Sequence, residues 1–453
     1  MTAFFQRCCL LIVILWSGSA AAACAAPLPD ILRQALPSPA AAFVAEGDRQ
    51  LAKGRTAEAV LAYRQAVTRD DRHVPGLRKL GQIYATQGRT RLAQQYLRKA
   101  AALRPGDAEI AAELQALDPA KTTDGPLEQV WLALAATPAG QPAGMTAGDG
   151  AVAVTLDADR HGRVALLDAA TGQPRWEVKL PTRAASAPGL GDGLALVGGE
   201  DGALHALAMA DGRLLWRYPT SAPIYAAPLV AAGTVYVPSG DGSIAALAIA
   251  DGAQRWRIAA IAPLTGRPAL AGDMLYFGAA DGRIFGVDAA TGREIWGSGI
   301  VAQGAVESEP AIADSRVFIG AGDSRVYAFD AATGGEYWRY STPDAVYARP
   351  LVISDTVYVA SAGNTLSALD VLTGEPRWEI TAGSALRHAP VVIGAVLYYT
   401  AAADPNLYAV AAATGEPLWQ FDTGDWLAGG PVVHDGLLYL LGQDGAVMAL
   451  RPR

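Results

Sequence analysis

Eight tryptophans recur along the chain at Trp131, Trp176, Trp216, Trp256, Trp296, Trp338, Trp378 and Trp419. From Trp176 onward each follows the last by about 40 residues. A proline ladder runs in phase with them, at Pro188, Pro228, Pro268, Pro310, Pro350, Pro390 and Pro431. A unit of this length cannot bury its own apolar face, so each must pack against the next. Residues 227–257 show what one unit holds: "APLV", "TVYVPS", "SIAALAIA" and "QRWRI", with Asp-Gly turns separating the later segments. The β-branched and aromatic residues argue for strands, and the Asp-Gly pairs argue for tight hairpins. Four strands in each such repeat predict the blades of a β-propeller.

The stretch "DAATGREIW" ends at Trp296, and close variants end at Trp176, Trp338, Trp378 and Trp419. The glycine of each such turn (Gly172, Gly212, Gly252, Gly292, Gly334, Gly374 and Gly415) is expected to supply a positive φ. The neighbouring Thr or Asp can bond the backbone of its own turn. The tryptophan then sits on the outermost strand, where its ring packs against the adjacent blade. The repetition is first of all architectural. The stretch 128–135, around Trp131, reads as an orphan fourth strand, and the last unit stops at "AVMALRPR" without one. Pairing the two closes a ring of eight blades and removes the open sheet edges.

With D-x-x-T-G-x-x-x-W in place, residues 128–453 resemble the PQQ-like eight-bladed propeller superfamily. The resemblance covers about three quarters of the chain and implies a mainly β fold. It does not imply one function. The superfamily holds calcium- and quinone-dependent alcohol dehydrogenases and also non-enzymatic members such as BamB, a periplasmic lipoprotein of the outer-membrane barrel-assembly machinery. In the enzymes an adjacent-cysteine disulfide lies over the quinone, a Glu and an Asn hold Ca²⁺, and an Asp acts as base. The sole adjacent pair in this sequence is Cys8-Cys9, inside what reads as a leader. No C-x-x-C-H haem motif occurs. The reading is therefore non-enzymatic, with no cofactor and no catalytic or metal residue assigned.

Residues 1–25 carry one arginine, an apolar stretch "CCLLIVILW" and a run of small residues, the pattern of a secretory signal. Two processing routes fit: cleavage after Ala25, or lipidation of Cys24, although Ala21 stands where a lipoprotein signal carries a branched aliphatic residue. Either route leaves no cysteine pair within the mature chain. The expected location is periplasmic, anchored to the outer membrane if Cys24 is lipidated.

Residues 38–118 repeat at 34: Gly47 and Gly81, Gly54 and Gly88, Ala59 and Ala93, Ala66 and Ala100. They resemble two tetratricopeptide repeats, each a helix–turn–helix, and 108–117 reads as a capping helix. Residues 119–127 have the polar, turn-rich composition of a linker.

The five histidines (His73, His161, His205, His388 and His434) never fall at metal-ligand spacing. The "GDG" clusters recur at hairpin positions and read as turns. Just before the prolines, most blades carry small residues, whereas Arg267, Glu307, Glu309, Arg349, Arg387 and His388 bring charge to a strand that in this fold lines the central channel. Salt bridges that tie the ring are one reading of them, and a ligand site is the other. Residues 34–118 hold 13 basic and 9 acidic side chains, against 21 and 34 from 119 onward. The acidic propeller argues against nucleic acid. Two protein-binding modules without catalytic residues point, by analogy, to a scaffold for envelope proteins such as the barrel-assembly machinery. A quinone- and Ca²⁺-dependent oxidoreductase and a small-ligand binder using the channel are the alternatives.

Overall fold

The computed structural model describes residues 38–453 apart from 71, 88–89, 118–125, 135–140, 159–160, 261, 298–299 and 425. The leader with Cys24, and the linker up to residue 125, lie outside the described residues. The described chain opens with α1 (Pro39–Ala52), α2 (Thr56–Arg69), α3 (Val74–Thr86), α4 (Thr90–Leu103) and α5 (Ala108–Ala116). Three of these helices start on a side chain that accepts from the first turn. The Ser38 hydroxyl accepts from Ala41 N–H, His73 Nδ1 accepts from Gly76 N–H, and Asp107 accepts from Glu109 and Ile110. No described helix is long and apolar enough to cross a membrane.

The glycines of the helical repeat are explained by close approach. A Cβ at Gly81 would lie 2.6 Å from Leu97, and one at Gly47 would collide with the Tyr63 ring. The helices α1 and α2, and then α3 and α4, therefore meet as tight pairs around buried Tyr63, Tyr84, Leu97 and Ile110. Ile110 is contributed by α5, which covers the second pair.

The remaining chain forms eight antiparallel sheets among the described residues. Numbered along the chain, blade 1 spans 141–179, blade 2 189–219, blade 3 229–259, blade 4 269–288, blade 5 311–341, blade 6 351–381 and blade 7 391–422. Blade 8 is built from both ends: strand Leu127–Leu134 pairs with Ala446–Pro452, placing Trp131 opposite Ala449. The ring thus closes with its outermost strand taken from the front of the propeller.

Seven indoles bond the following blade. Trp131 donates to Ala169 O at 3.0 Å, Trp176 to Met209 O at 2.9 Å, Trp216 to Ile249 O at 3.0 Å and Trp256 to Ala289 O at 3.0 Å. Trp296, Trp338 and Trp378 repeat the bond to Ala331, Val371 and Ala412. The turn glycine is the seat for that ring. Gly172 has φ +71°, and a Cβ there would lie 2.5 Å from the Trp131 ring. The same holds from Gly212 under Trp176 to Gly415 under Trp378. Each of blades 1 to 6 therefore receives the tryptophan of one neighbour and offers its own to the other. Trp419 makes no such bond among the described residues, because the two outer strands of blade 8, Ala446–Pro452 and Leu127–Leu134, come from distant parts of the chain and no D-x-x-T-G turn joins them.

Blade 4 departs from the expected four strands. Its sheet has three, Ala269–Ala271, Met274–Gly278 and Ile284–Asp288, and the outer segment is reduced to bridges at Glu294 and Val301. The sequence after Trp296 reads Gly-Ser-Gly, which weakens a strand, and the step to Trp338 is slightly longer than the others. The N–H groups of Ile295 and Trp296 both reach Gly286 O, at 2.9 and 3.1 Å. With no side chain at Gly286, the Trp296 ring settles over it and is only 1% exposed.

Candidate functional site

Every inner strand from blade 2 onward follows a proline. Proline restricts the residue before it to an extended conformation, so the positions preceding Pro268, Pro310 and Pro350 are equivalent in three consecutive blades. They hold Arg267, Glu309 and Arg349. The inner strands of blades 4 and 5, and of 5 and 6, touch one another. The Oε1 atom of Glu309 accordingly lies 3.7 Å from the Nη1 of Arg267 and 3.7 Å from the Nη1 of Arg349. These pairs are looser than other ion pairs on the ring, such as Arg217–Asp201 and Arg377–Asp370 at 2.7 Å.

The other charged residues named from sequence take different roles. Arg387 forms no ion pair with them; its guanidinium lies 5.2 Å from the Tyr347 ring centre. Glu307 is exposed, and its carbonyl is approached closely by blade 4, where only a glycine, Gly266, leaves room. His388 is half-buried, and desolvation followed by repulsion from Arg387 holds its imidazole below the usual histidine range. Three of the six residues therefore form one shared ion-pair group, and three do not. Thr265 was not singled out in the sequence. Its Oγ1 and the Nε of Arg267 are both buried without a hydrogen-bond partner, a feature no residue pattern announces.

The connections into these strands are braced from blade 2 to blade 8. The carbonyl five residues before each proline accepts an N–H from the hairpin joining the second and third strands of its own blade. Examples are Pro223 O from Gly240, Pro263 O from Ala280, Ala305 O from Gly322 and Trp426 O from Gln443. The aliphatic residue that follows, such as Ile224, Leu264, Val306 or Leu386, is fully buried. These loops are short and fixed, and within them Tyr225 and Trp426 are exposed.

The helical module carries a cavity of about 260 Å³ between α3 and the start of α5, lined by Val74, Arg78, Lys79, Gln82, Arg104 and Ile110 among others. Its cations are mostly committed. Arg78 bonds Glu113 and Glu109, and Lys79 pairs with Asp48 at 2.9 Å. Asp48 is held below the usual carboxylate range by Lys79 and the Tyr63 hydroxyl, which outweigh desolvation. The module's positive balance is therefore not concentrated in this groove.

No group of three or more His, Cys, Asp or Glu side chains is placed to hold a metal ion among the described residues. None of the described residues is a cysteine, so among them the cysteine pair that the quinone enzymes place over their cofactor has no counterpart, and their donor set does not fit that group.

The family model described as outer membrane protein assembly factor BamB matches residues 160–325, 302–396 and 383–453. A tetratricopeptide repeat model matches residues 79–107. Among solved structures, BamB from Moraxella catarrhalis is 24% identical, with 72% of this chain and 99% of that chain covered and a TM-score of 0.62. The computationally designed Ika8 protein is 18% identical, covers 71% and 99%, and has a TM-score of 0.61. Quinohemoprotein alcohol dehydrogenase from Comamonas testosteroni is 15% identical, covers 72% and 76%, and has a TM-score of 0.60. Identities this low carry the fold alone. No curated protein matches the chain by sequence.

Proposed function

The chain belongs to the family of the outer membrane protein assembly factor BamB, and from that premise we propose that it is a non-catalytic, periplasmic protein-interaction scaffold acting in outer-membrane or envelope protein assembly. One observation supports this most: from blade 2 to blade 8 the loops entering the inner strands are short and tied to a neighbouring hairpin. Such a face is broad and rigid, without the long insertions from which a substrate pocket is built, and rigid faces lose little freedom when a partner docks. The helical module adds a second, separate surface. A scaffold that holds two partners at once gains from effective concentration without any catalytic group.

The test is recovery of the tagged full chain from its native envelope in mild detergent, with identification of what accompanies it. The reading expects outer-membrane assembly proteins in stoichiometric amount. Recovery of the chain alone, or with an unrelated secretion system, removes the assembly role and leaves the family membership as a statement about fold.

A second reading, a quinone- and Ca²⁺-dependent oxidoreductase, is favoured by the shared fold of the Comamonas testosteroni enzyme. Quinone-dependent dye reduction by the purified chain supplied with PQQ and Ca²⁺ would establish it. Absence of quinone binding at saturation would eliminate it.

A further inference from the structure

We propose that the inner edge of blades 4 to 6 is an oxyanion-binding site, with Arg267 and Arg349 as its cations and the Glu309 carboxylate as an internal stand-in for the ligand. This inference is independent of the scaffold reading and survives its failure.

The argument begins with unused donors. Most arginines of the propeller spend their N–H groups: Arg175, Arg217, Arg255, Arg257, Arg283 and Arg377 each donate hydrogen bonds. Arg267 and Arg349 donate none among the described residues, and their ion-pair contacts are the 3.7 Å approaches given above. A guanidinium presents five donors in a planar fork that matches a carboxylate or phosphate. Solvent meets the exposed part of such a fork, but a donor shielded from solvent and left open is costly unless something polar meets it.

The second observation is burial. Arg267 Nε and Thr265 Oγ1 are shielded from solvent and unpartnered, so this segment offers buried donors beside the partly exposed Nη groups. The third is local charge. From residue 119 onward acidic residues outnumber basic ones by 34 to 21, yet here two arginines flank a single carboxylate, Glu309. Glu309 marks where an oxyanion sits, because one oxygen already lies equidistant from two guanidiniums. Its separation from each, 3.7 Å, exceeds the ~2.7–2.9 Å of a charge-assisted hydrogen bond. A free anion of better reach can therefore displace it. The ligand class is a carboxylate or phosphate compound small enough to enter between the inner strands.

The test is titration calorimetry on the full chain at fixed ionic strength, using citrate and inorganic phosphate as probes, with chloride as the ionic control. Saturable binding of at least one probe is expected. Glu309→Gln should tighten it by about tenfold or more, since the competing carboxylate is removed while the fork donors remain. Arg349→Gln should weaken it by about tenfold or more, the size of a lost charge-assisted hydrogen bond. Arg349 is half exposed, so its replacement leaves the fold standing, and the tryptophan fluorescence of both variants checks this. Citrate alone binding identifies carboxylates; phosphate alone identifies phosphates. Absence of saturable heat in the wild type and in folded Glu309→Gln overturns the proposal, and so does binding unchanged by Arg349→Gln.

Discussion

The hydroxyl of Tyr439 donates to the carbonyl oxygen of Ala169 at 3.1 Å, joining residues 270 positions apart. The same carbonyl accepts the indole N–H of Trp131 at 3.0 Å, and the two rings lie 5.8 Å apart. Blade 8, assembled from both ends of the propeller, thus grips blade 1 by two donors on one buried acceptor. Tyr236, Tyr276 and Tyr358 make the corresponding bond in blades 3, 4 and 6.

Shared acceptance predicts non-additive mutations at the closure. Trp131→Phe and Tyr439→Phe each leave Ala169 O with one donor, so each hydrogen bond lost should cost about 1 kcal/mol. The double variant orphans a buried carbonyl and should cost more than the sum, by about 1 kcal/mol or more. Denaturant unfolding of the four proteins measures the coupling. Strict additivity would show that the two donors do not share the acceptor.

The glycine seats make a second prediction. Gly252 has φ +72°, and a Cβ there would meet the Trp216 ring at 2.6 Å; Gly233 has φ +70° with open space around it. Gly233→Ala should cost only the backbone term, about 1–2 kcal/mol. Gly252→Ala should cost clearly more, because the ring must also move. Equal losses in thermal midpoint would mean that the glycine serves the turn alone and not the neighbouring tryptophan.

At the turn between the first two strands of blade 5, Asp314 (φ 47°) and Ser315 (φ 58°) are both left-handed. Gly150, Gly193, Gly233 and Gly436 occupy the matching second position in other blades. Ser315 is exposed and its side chain makes no hydrogen bond among the described residues. Ser315→Gly should therefore raise stability by about 1 kcal/mol. A lower melting midpoint would contradict this account of the turn.

Acid should loosen the ring through its D-x-x-T turns. Asp330 is pushed down to about 2 by hydrogen bonds from the Thr333 side chain and the Tyr337 hydroxyl. Asp370 is pushed down to about 2, chiefly by Arg377. A folded-state value below the unfolded carboxylate near ~3.9 means that the contribution is complete above that pH. It is lost as pH falls from about 4 towards 2. Melting midpoints should decline over that window, and Asp330→Asn should flatten the decline. NMR titration of Asp330 with an ordinary carboxylate midpoint would refute the assignment.

Much of this architecture was legible because it repeats. The tryptophan and proline ladders count the blades, and the orphan strand around Trp131 announces the closure. What the ladder hid was direction: Gly172 seats Trp131, the tryptophan of the preceding unit, and that contact depends on ring placement across an interface. Blade 4 escaped because a strand signal is judged over a window, whereas the Gly-Ser-Gly after Trp296 acts locally. From the sequence, Arg267, Glu307, Glu309, Arg349, Arg387 and His388 stood together as one charged set before the prolines, and nothing in it separated Arg267, Glu309 and Arg349 from the rest. That one carboxylate oxygen stands between both guanidiniums, while Arg387 turns to Tyr347, is a matter of rotamers and neighbouring loops.

The central claim is a scaffold for envelope protein assembly, and the most direct measurement is the outer-membrane proteome of cells lacking this chain. Depletion of outer-membrane β-barrel proteins, restored by the full chain, is the predicted result. An unchanged outer membrane accompanied by loss of a quinone-dependent oxidation would contradict it and assign the propeller to catalysis.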